Sequence, residues 1–533
     1  MKKFLAAAFC ITLAMSLFTS CFQTSDPNRT TNQADTPGAD TAAPASEQPT
    51  TVNIWFMGGN AENDDAAVVA AANARLQELG LNIAINPIWT GGWAMGDYAQ
   101  VSLDTGDTNV DIYWTGSWGL NYFNNARTGN FVRLDDPNNN LLSQYGQDTI
   151  DAIPQELWDA FTTDGPSGRG LYAVPGYKDY AALFALDVNN TRLEALGFDF
   201  DDMFDMDGVN YEIIFDPRFE AAMQAAKDTY GPTFFPLFPE RGNFVRHFSN
   251  IDGDLTGLDV FSFPYDPNNP ALPEDPVVGL KMEDENFLRV LEKVRHFWEM
   301  GFIDPRLAIP IEAGIVIDEA HDAGEYLFST GQYAYGHTAD RQARRGIDCR
   351  YVPLGKPIVS TMSAAGSGFG ISVYSQNQAA AMQFLNAWYT DNQLAVILTE
   401  GVEGIHWDFD SEGLIVPAPD RQAKYSTWRN GMGNIFILSP RDIDGYGYFE
   451  GYKAYNEAGV GTALLGFVFD SDPVALEMAA LTGVVEEWRQ PITVGALDLD
   501  EAVPAYIAAL KANGIDRVLA ELNSQLQAFY ATR

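Results

Sequence analysis

From Thr51 to Met57 the chain is a nearly unbroken apolar run, ended by Gly58-Gly59-Asn60, which predicts a buried strand. Val68, Ala72, Leu76 and Leu79 then recur at helical spacing. Asn63 or Asp64 stands where an N-cap belongs, and Gly80 stands where the helix must stop. Leu81, Ile83 and Ile85 alternate as a second strand, and Val110–Trp114 makes a third. This β-α-β-β order predicts an open α/β sheet, whose ligands bind beyond the carboxyl ends of its strands. Those ends are Gly58-Gly59-Asn60 and Thr115-Gly116-Ser117-Trp118.

Further along, Asp199–Asp207 is acidic and Pro264–Pro276 has loop composition. Asn286–Met300 is predicted to be an amphipathic helix with Leu288, Leu291, Val294 and Trp298 facing inward. These segments predict a second α/β lobe. Ile358–Val373 reads as strand-like around Gly366-Ser367-Gly368, and Ala379–Tyr389 as helix. The tail predicts two helices, Pro473–Trp488 and Val503–Tyr530, with Val518, Leu522, Leu526 and Phe529 at helical spacing.

The first 20 residues have a different pattern. Lys2 and Lys3 precede an apolar run from Phe4 to Phe18, the form of a secretory signal rather than a membrane span. Thr19-Ser20-Cys21 resembles a bacterial lipobox, although Phe18 stands where Leu is usual; the resemblance implies cleavage before Cys21 and a lipid on its sulfur. Residues 21–50 are rich in Thr, Asp, Pro, Ala, Gln and Ser and cannot bury enough apolar surface to fold, so they are expected to be a tether.

The rest, about 480 residues, exceeds one ordinary hydrophobic core and predicts at least two lobes. Net charge is −40, or −42 once Lys2 and Lys3 leave with the signal. So acidic a chain is unsuited to a phosphate backbone or to steering an anionic substrate, and a neutral ligand fits better. With Cys10 in the signal and Cys21 lipidated, Cys349 stands alone, so no internal disulfide and no cysteine metal site is expected. Cys349 is expected to be a small buried apolar side chain. No phosphate-binding loop, dinucleotide fingerprint, nucleophile elbow or His-Glu-x-x-His occurs, and no cofactor is expected. Asp408–Gly413 matches half a calcium loop, but Pro419 takes the place of the bidentate Glu, which predicts a hairpin turn.

Several segments in order resemble bacterial extracellular solute-binding proteins of ATP-driven importers, specifically the lipoprotein-type sugar-binding group. They are Val110–Asp136, Leu171–Asn189 (LYAVPGYKDYAALFALDVN), Ala364–Ser375, Gly401–Trp407 (GVEGIHW) and Gly466–Asp472. From about Leu464 the tail resembles a C-terminal domain of that group. The resemblance implies a two-lobe, Venus-flytrap fold with hinge crossings and a helical C-terminal extension. The expected organisation is lobe 1 over residues 51–182 and 371–440, lobe 2 over 183–370, and a C-terminal region over 441–533 that packs on the lobes. It also implies a monomer that closes around a small ligand and docks on permease subunits, with the membrane reached only through the lipid and no nucleic-acid partner.

A sugar offers hydroxyls and weakly apolar faces, so its cleft needs rigid aromatics with nearby donors and acceptors. Ser117 and Trp118 are the leading candidates, because they lie in the resembling turn beyond a strand end. Trp407 with Glu403 could form a second platform, or GVEGIHW could be structural. Tyr177 and Lys178 precede the first crossing and either reach the cleft or form a solvated turn. Asn60 is selected by its strand end alone. His337 lies where the resemblance places a second-lobe contact. Two other functions suit the same composition: a secreted glycoside hydrolase, and a peptide-binding or adhesive surface protein.

Overall fold

The computed structural model describes residues 48–58, 64–89, 95–202, 204, 210–239, 244–248, 256–263, 277–333 and 335–531. Cys21 and Asn60 lie outside them. Residues 49–533 form one compact unit.

The first sheet has five strands in the order Ile83–Trp89, Thr50–Phe56, Ile112–Thr115, Gly368–Ile371 and Val174–Pro175. The first three are mutually parallel, with Thr50 opposite Ile83 and Ile54 opposite Ile112; Gly368–Ile371 runs antiparallel to both its neighbours. Helix Asp65–Glu78 buries Val68, Ala72 and Leu76 as their spacing predicts, but Leu79 falls just past the helix and is exposed. A second helix, Met95–Asp104, corrects the expected β-α-β-β to β-α-β-α-β. Its apolar face is thin: Ala99 and Leu103 point inward while Tyr98 and Val101 face solvent, so it carried little periodic signal.

The second sheet runs Cys349–Pro353, Leu183–Asn189, Phe328–Tyr333, Leu237–Phe238. Cys349 is fully buried, as expected. Each sheet has its own core. The first gathers Trp114, Phe369 and Trp388, and the second gathers Phe219, Phe297 and Phe328. Helix Glu285–Glu299 buries Phe287, Val290, Leu291, Val294 and Phe297 in that second core, whereas Leu288 and Trp298 are only partly buried. The inward face is thus rotated slightly from the expected one.

Three strands cross between the sheets side by side. Ala182 and Ile358 exchange backbone hydrogen bonds of 2.7 and 2.8 Å, and Ile358–Val359 pairs with Val460–Gly461. Asn456 fastens the bundle: its Nδ2 donates to the Lys178 carbonyl at 2.9 Å and its Oδ1 accepts from Tyr180 N at 3.1 Å. At Gly459 a Cβ would lie 2.8 Å from both the Ala181 Cβ and a Val359 methyl, so only glycine permits this approach. The return segment is not one strand. Ile358–Val359 is followed by a helical turn, Thr361–Ala364, and then by Gly368–Ile371, which already belongs to the first sheet.

The tail forms helices Ala475–Thr493, Leu499–Ala512 and Ile515–Tyr530. The predicted Val503–Tyr530 helix is therefore broken at Asn513-Gly514, where Gly514 takes a left-handed φ of 92°. Leu481, Val518, Leu522 and Leu526 complete the second core, so the tail packs on the second lobe. Helix Tyr448–Glu457 instead sends Phe449 and Tyr452 into the first core. Asp408–Gly413 falls in the expected hairpin, with residues 410–414 turning between strands Trp407–Phe409 and Ile415–Pro417.

Candidate functional site

The three parallel strands of the first sheet end at Phe56, Trp89 and Thr115. Beyond Thr115 the chain makes a tight turn, with Gly116 N bonded to the Gly119 carbonyl at 3.0 Å and Leu120 held at a left-handed φ of 41°. A Cβ on Gly116 would sit 2.6 Å from the Gly366 oxygen, so the turn lies flush against the return segment. Several polar groups around it are tied there. Ser117 N donates to the Ala365 carbonyl at 2.8 Å and Ser117 Oγ to the Met362 carbonyl at 2.6 Å. Trp118 Nε1 donates to the Gly366 carbonyl at 2.8 Å, and Trp114 Nε1 to Ser367 Oγ at 2.9 Å.

These bonds fix the Trp118 ring while leaving the residue 50% exposed. Trp428 meets it at a centroid distance of 5.7 Å and 75°, and Trp114 lies 5.1 Å from Trp118 and 5.8 Å from Trp428. The three rings form a mutually braced cluster with one open member. Edge-to-face packing suits aromatic quadrupoles and immobilises the exposed ring in advance of any ligand. Farther along the same end, Trp89 stacks on Phe56 at 4.7 Å and meets Tyr425 edge-on at 6.3 Å. One loop, Tyr425–Trp428, therefore covers two strand ends.

A buried charge cluster anchors that loop. Glu400 is fully buried and takes Arg421 Nη2 at 2.7 Å, Arg441 Nη2 at 2.9 Å and Arg429 Nε at 3.4 Å. Arg429 also binds Asp444 at 2.7 Å. Burial alone would raise the Glu400 carboxyl, but Arg441, Arg421 and Arg429 outweigh it and hold it at about 2. The residue beside Trp428 is thus pinned from two sides.

Lys178 is buried, and its ammonium donates to the Asp179 carboxylate at 2.9 Å and the Asp179 carbonyl at 3.0 Å. It lies close to Gly366, behind the Trp118 turn. Tyr177 packs on Phe436 at 4.3 Å, and burial pushes its hydroxyl up to about 12. The fold therefore brings Ser117, Trp118, Tyr177 and Lys178 to one end of the first sheet, around the start of the crossings. From the second lobe, Tyr333 and Tyr335 approach Tyr455 at 5.8 and 6.4 Å.

The other candidates lie elsewhere. Trp407 is only 5% exposed, donates to the Gly401 carbonyl at 3.0 Å and belongs to the first core; it has no open face to offer. Beside it, His406 Nδ1 accepts from Val402 N at 2.9 Å, and its Nε2 lies 3.3 Å from Asp64. Burial lowers its pKa, which keeps it neutral at pH 7. GVEGIHW is thus a locked loop beside the first helix, with Glu403 exposed on it. His337 opens helix His337–Arg345 in the second lobe. Trp428 was missed from the sequence. Its signal was an aromatic within a glycine-punctuated loop, Trp428-Arg429-Asn430-Gly431, where a Cβ on Gly431 would collide with the Trp428 ring at 2.3 Å.

The chain is 23% identical over 505 residues, 92% of each chain, to a carbohydrate ABC transporter substrate-binding protein of Streptococcus pneumoniae serotype 4 (strain ATCC BAA-334 / TIGR4). Its structure superposes on the N-glycan transport solute-binding protein NgtS of Streptococcus pneumoniae with a TM-score of 0.70, at 20% identity over 90% of this chain and 99% of that one. The complex of NgtS with Man5GlcNAc gives 0.68 at 20% identity, covering 91% and 99%. The alginate-binding protein AlgQ2 gives 0.60 at 16% identity, covering 90% and 99%. The chain has the solute-binding-protein fold. Residues 463–531 also match a domain of unknown function (DUF3502). The resemblance seen in the sequence thus holds for two lobes, hinge crossings and helical tail together.

Proposed function

We propose that this chain is the extracytoplasmic binding subunit of an ABC importer and captures a neutral oligosaccharide between its lobes. The half-exposed Trp118 ring, braced by Trp114 and Trp428 at the strand ends, carries the reading. It offers a rigid apolar face of the kind a sugar ring lies on, with backbone and hydroxyl groups at its margin. The S. pneumoniae relatives carry carbohydrate names, and NgtS was solved with Man1GlcNAc and Man5GlcNAc. A mannose- and GlcNAc-containing oligosaccharide is therefore our first ligand class. Ser117, Trp118 and Trp428 would form the first-lobe wall, with Tyr177 and Lys178 at the hinge. Asn60, His337 and Glu403 are outer candidates.

The further parts of the proposal are a lipid on Cys21, a tether over residues 21–50, permease docking by the closed form, a monomeric state and binding without turnover. The proposed lobes keep the expected boundaries, except that the return to lobe 1 is complete by Gly368. A thermal-shift screen against mannose/GlcNAc oligosaccharides, other glycans and short peptides tests the reading. A native-state ligand at 100 times its Kd adds about 2.7 kcal/mol. Stabilisation by oligosaccharides, recovered uncleaved, supports the proposal. Cleaved glycan indicates a hydrolase, and a response to peptides alone overturns the ligand class.

A further inference from the structure

A loop of the second lobe seats on the first lobe. Strand Phe328–Tyr333 belongs to the second sheet, yet Tyr335, just beyond it, packs at the margin of the first core. Its seat is helix Tyr448–Glu457, where Tyr448, Tyr452 and Tyr455 share one face by their spacing. The Tyr335 ring lies 5.6 Å from Tyr448 and Tyr452 and 6.4 Å from Tyr455, and Tyr333 meets Tyr455 at 5.8 Å. The Tyr448 hydroxyl donates to the Tyr335 carbonyl at 3.2 Å. Glycine permits the fit on both sides. Gly336 takes a left-handed φ of 82°, and a Cβ there would lie 2.6 Å from the Tyr448 ring; a Cβ on Gly451 would run into the Tyr335 hydroxyl.

Tyr448 also carries Arg429. The guanidinium lies over the Tyr448 ring at 5.8 Å and over the Phe449 ring at 5.3 Å, while it pairs with Asp444 and Glu400. The preceding residue is Trp428, whose ring braces Trp118. A displacement of Tyr448 thus reaches the platform through one side chain and one peptide bond. The seam is also suited to coming apart. A permanent contact is served by phenylalanine, as in the second core, whereas a tyrosine has a hydroxyl that water can take when its surface is uncovered. Tyr333, Tyr335, Tyr448 and Tyr455 are all only partly buried, and the Tyr455 hydroxyl has no hydrogen-bond partner. A hydroxyl enclosed without a partner weakens the contact that encloses it.

We infer that Tyr448 is a positioning residue of the sugar site. The Tyr335-Gly336 loop seats on it when the lobes are together, and this seating sets, through Arg429, the Trp428 ring against Trp118. Lobe position and platform geometry then form one equilibrium, and a ligand that needs the braced platform favours the seated loop. The inference rests on the reading of a sugar held at Trp118 between the lobes.

The test uses the full chain labelled with 5-fluorotryptophan, with the two fluorine resonances assigned in Trp118→Phe and Trp428→Phe. Tyr335→Ala empties the seat from the second-lobe side and should shift or broaden the Trp428 and Trp118 resonances in the ligand-free protein. Tyr335→Phe keeps the ring and the backbone carbonyl and should restore the wild-type spectrum. Affinity for a mannose/GlcNAc oligosaccharide should fall about fivefold in Tyr335→Ala and recover in Tyr335→Phe. If Tyr335→Ala does not fold, Tyr335→Leu takes its place. Wild-type resonances for both tryptophans in the folded variant overturn the inference. A wild-type chain that does not bind the sugar contradicts the proposed function instead, because the resonances report the coupling without any ligand.

Discussion

The two lobes use their aromatic residues differently. The first core is built around tryptophans, including Trp55, Trp114, Trp158, Trp388 and Trp407, with Trp89 and Trp428 at its margin. The second core is built around phenylalanines, and its tryptophans, Trp298 and Trp488, lie at the periphery. A tryptophan has an N–H that usually finds an acceptor when buried, and where it does the bond fixes the ring's orientation. In the first lobe Trp114 donates to Ser367 Oγ and the half-exposed Trp118 to the Gly366 carbonyl, both on the return segment, while Trp407 donates to the Gly401 carbonyl. Ring placement is thereby coupled to the crossings. The phenylalanines of the second lobe have no such handle, and they serve a core that also holds the tail. One lobe is organised to present rings, the other to hold a second body.

Removing Glu400 should break this arrangement most severely. Glu400→Gln leaves Arg421, Arg429 and Arg441 without their common carboxylate and should cost about 3–5 kcal/mol, read by denaturant unfolding. If the cluster belongs to the Trp428 loop, tryptophan fluorescence should change even in folded protein. Acid tests the same group. Glu400 and Asp259 are both held at about 2, below ordinary values of 4.5 and 3.8. Their stabilisation is complete above pH ~4.5 and is lost as pH falls toward 2, so both lobes should weaken together in that window. In Glu400→Gln the first lobe's share of this acid dependence should disappear.

Overpacking the hinge comes next. Gly459→Val places carbon against Ala181 and Val359, and should cost about 1–3 kcal/mol and disturb lobe closure. Trp118→Ala should leave stability nearly intact, because the residue is half exposed, while weakening oligosaccharide binding about tenfold by loss of a stacking face worth about 1 kcal/mol or more. The smallest effect belongs to Arg127, which pairs with Asp470 and, at 3.1 Å, with Asp472 ahead of the tail. These groups are partly exposed, so Arg127→Gln should cost about 0–1 kcal/mol, and less at high salt.

Much of this fold was legible in the sequence because its signals were strong. Thr51–Met57 and Val110–Trp114 each carry a nearly unbroken apolar run, and the Leu171–Asn189 crossing was legible through its resemblance to solute-binding proteins. The helix Met95–Asp104 was not legible, because only Ala99 and Leu103 turn inward. The break at Gly514 was hidden by helical spacing that continues through it. At the site, Trp118 was visible from its strand end, whereas Trp428 depends on a contact across more than 300 residues. Trp407 shows the converse: its motif is informative, but its indole is consumed by the Gly401 carbonyl and the core.

The most direct test of the central claim is a calorimetric titration of a mannose/GlcNAc oligosaccharide into the wild-type chain and into Trp118→Ala/Trp428→Ala. The account predicts saturable binding by the wild type and its near-complete loss in a double variant that still unfolds cooperatively. Undiminished affinity in that folded variant would contradict the assignment of the ligand to the strand ends of the first lobe.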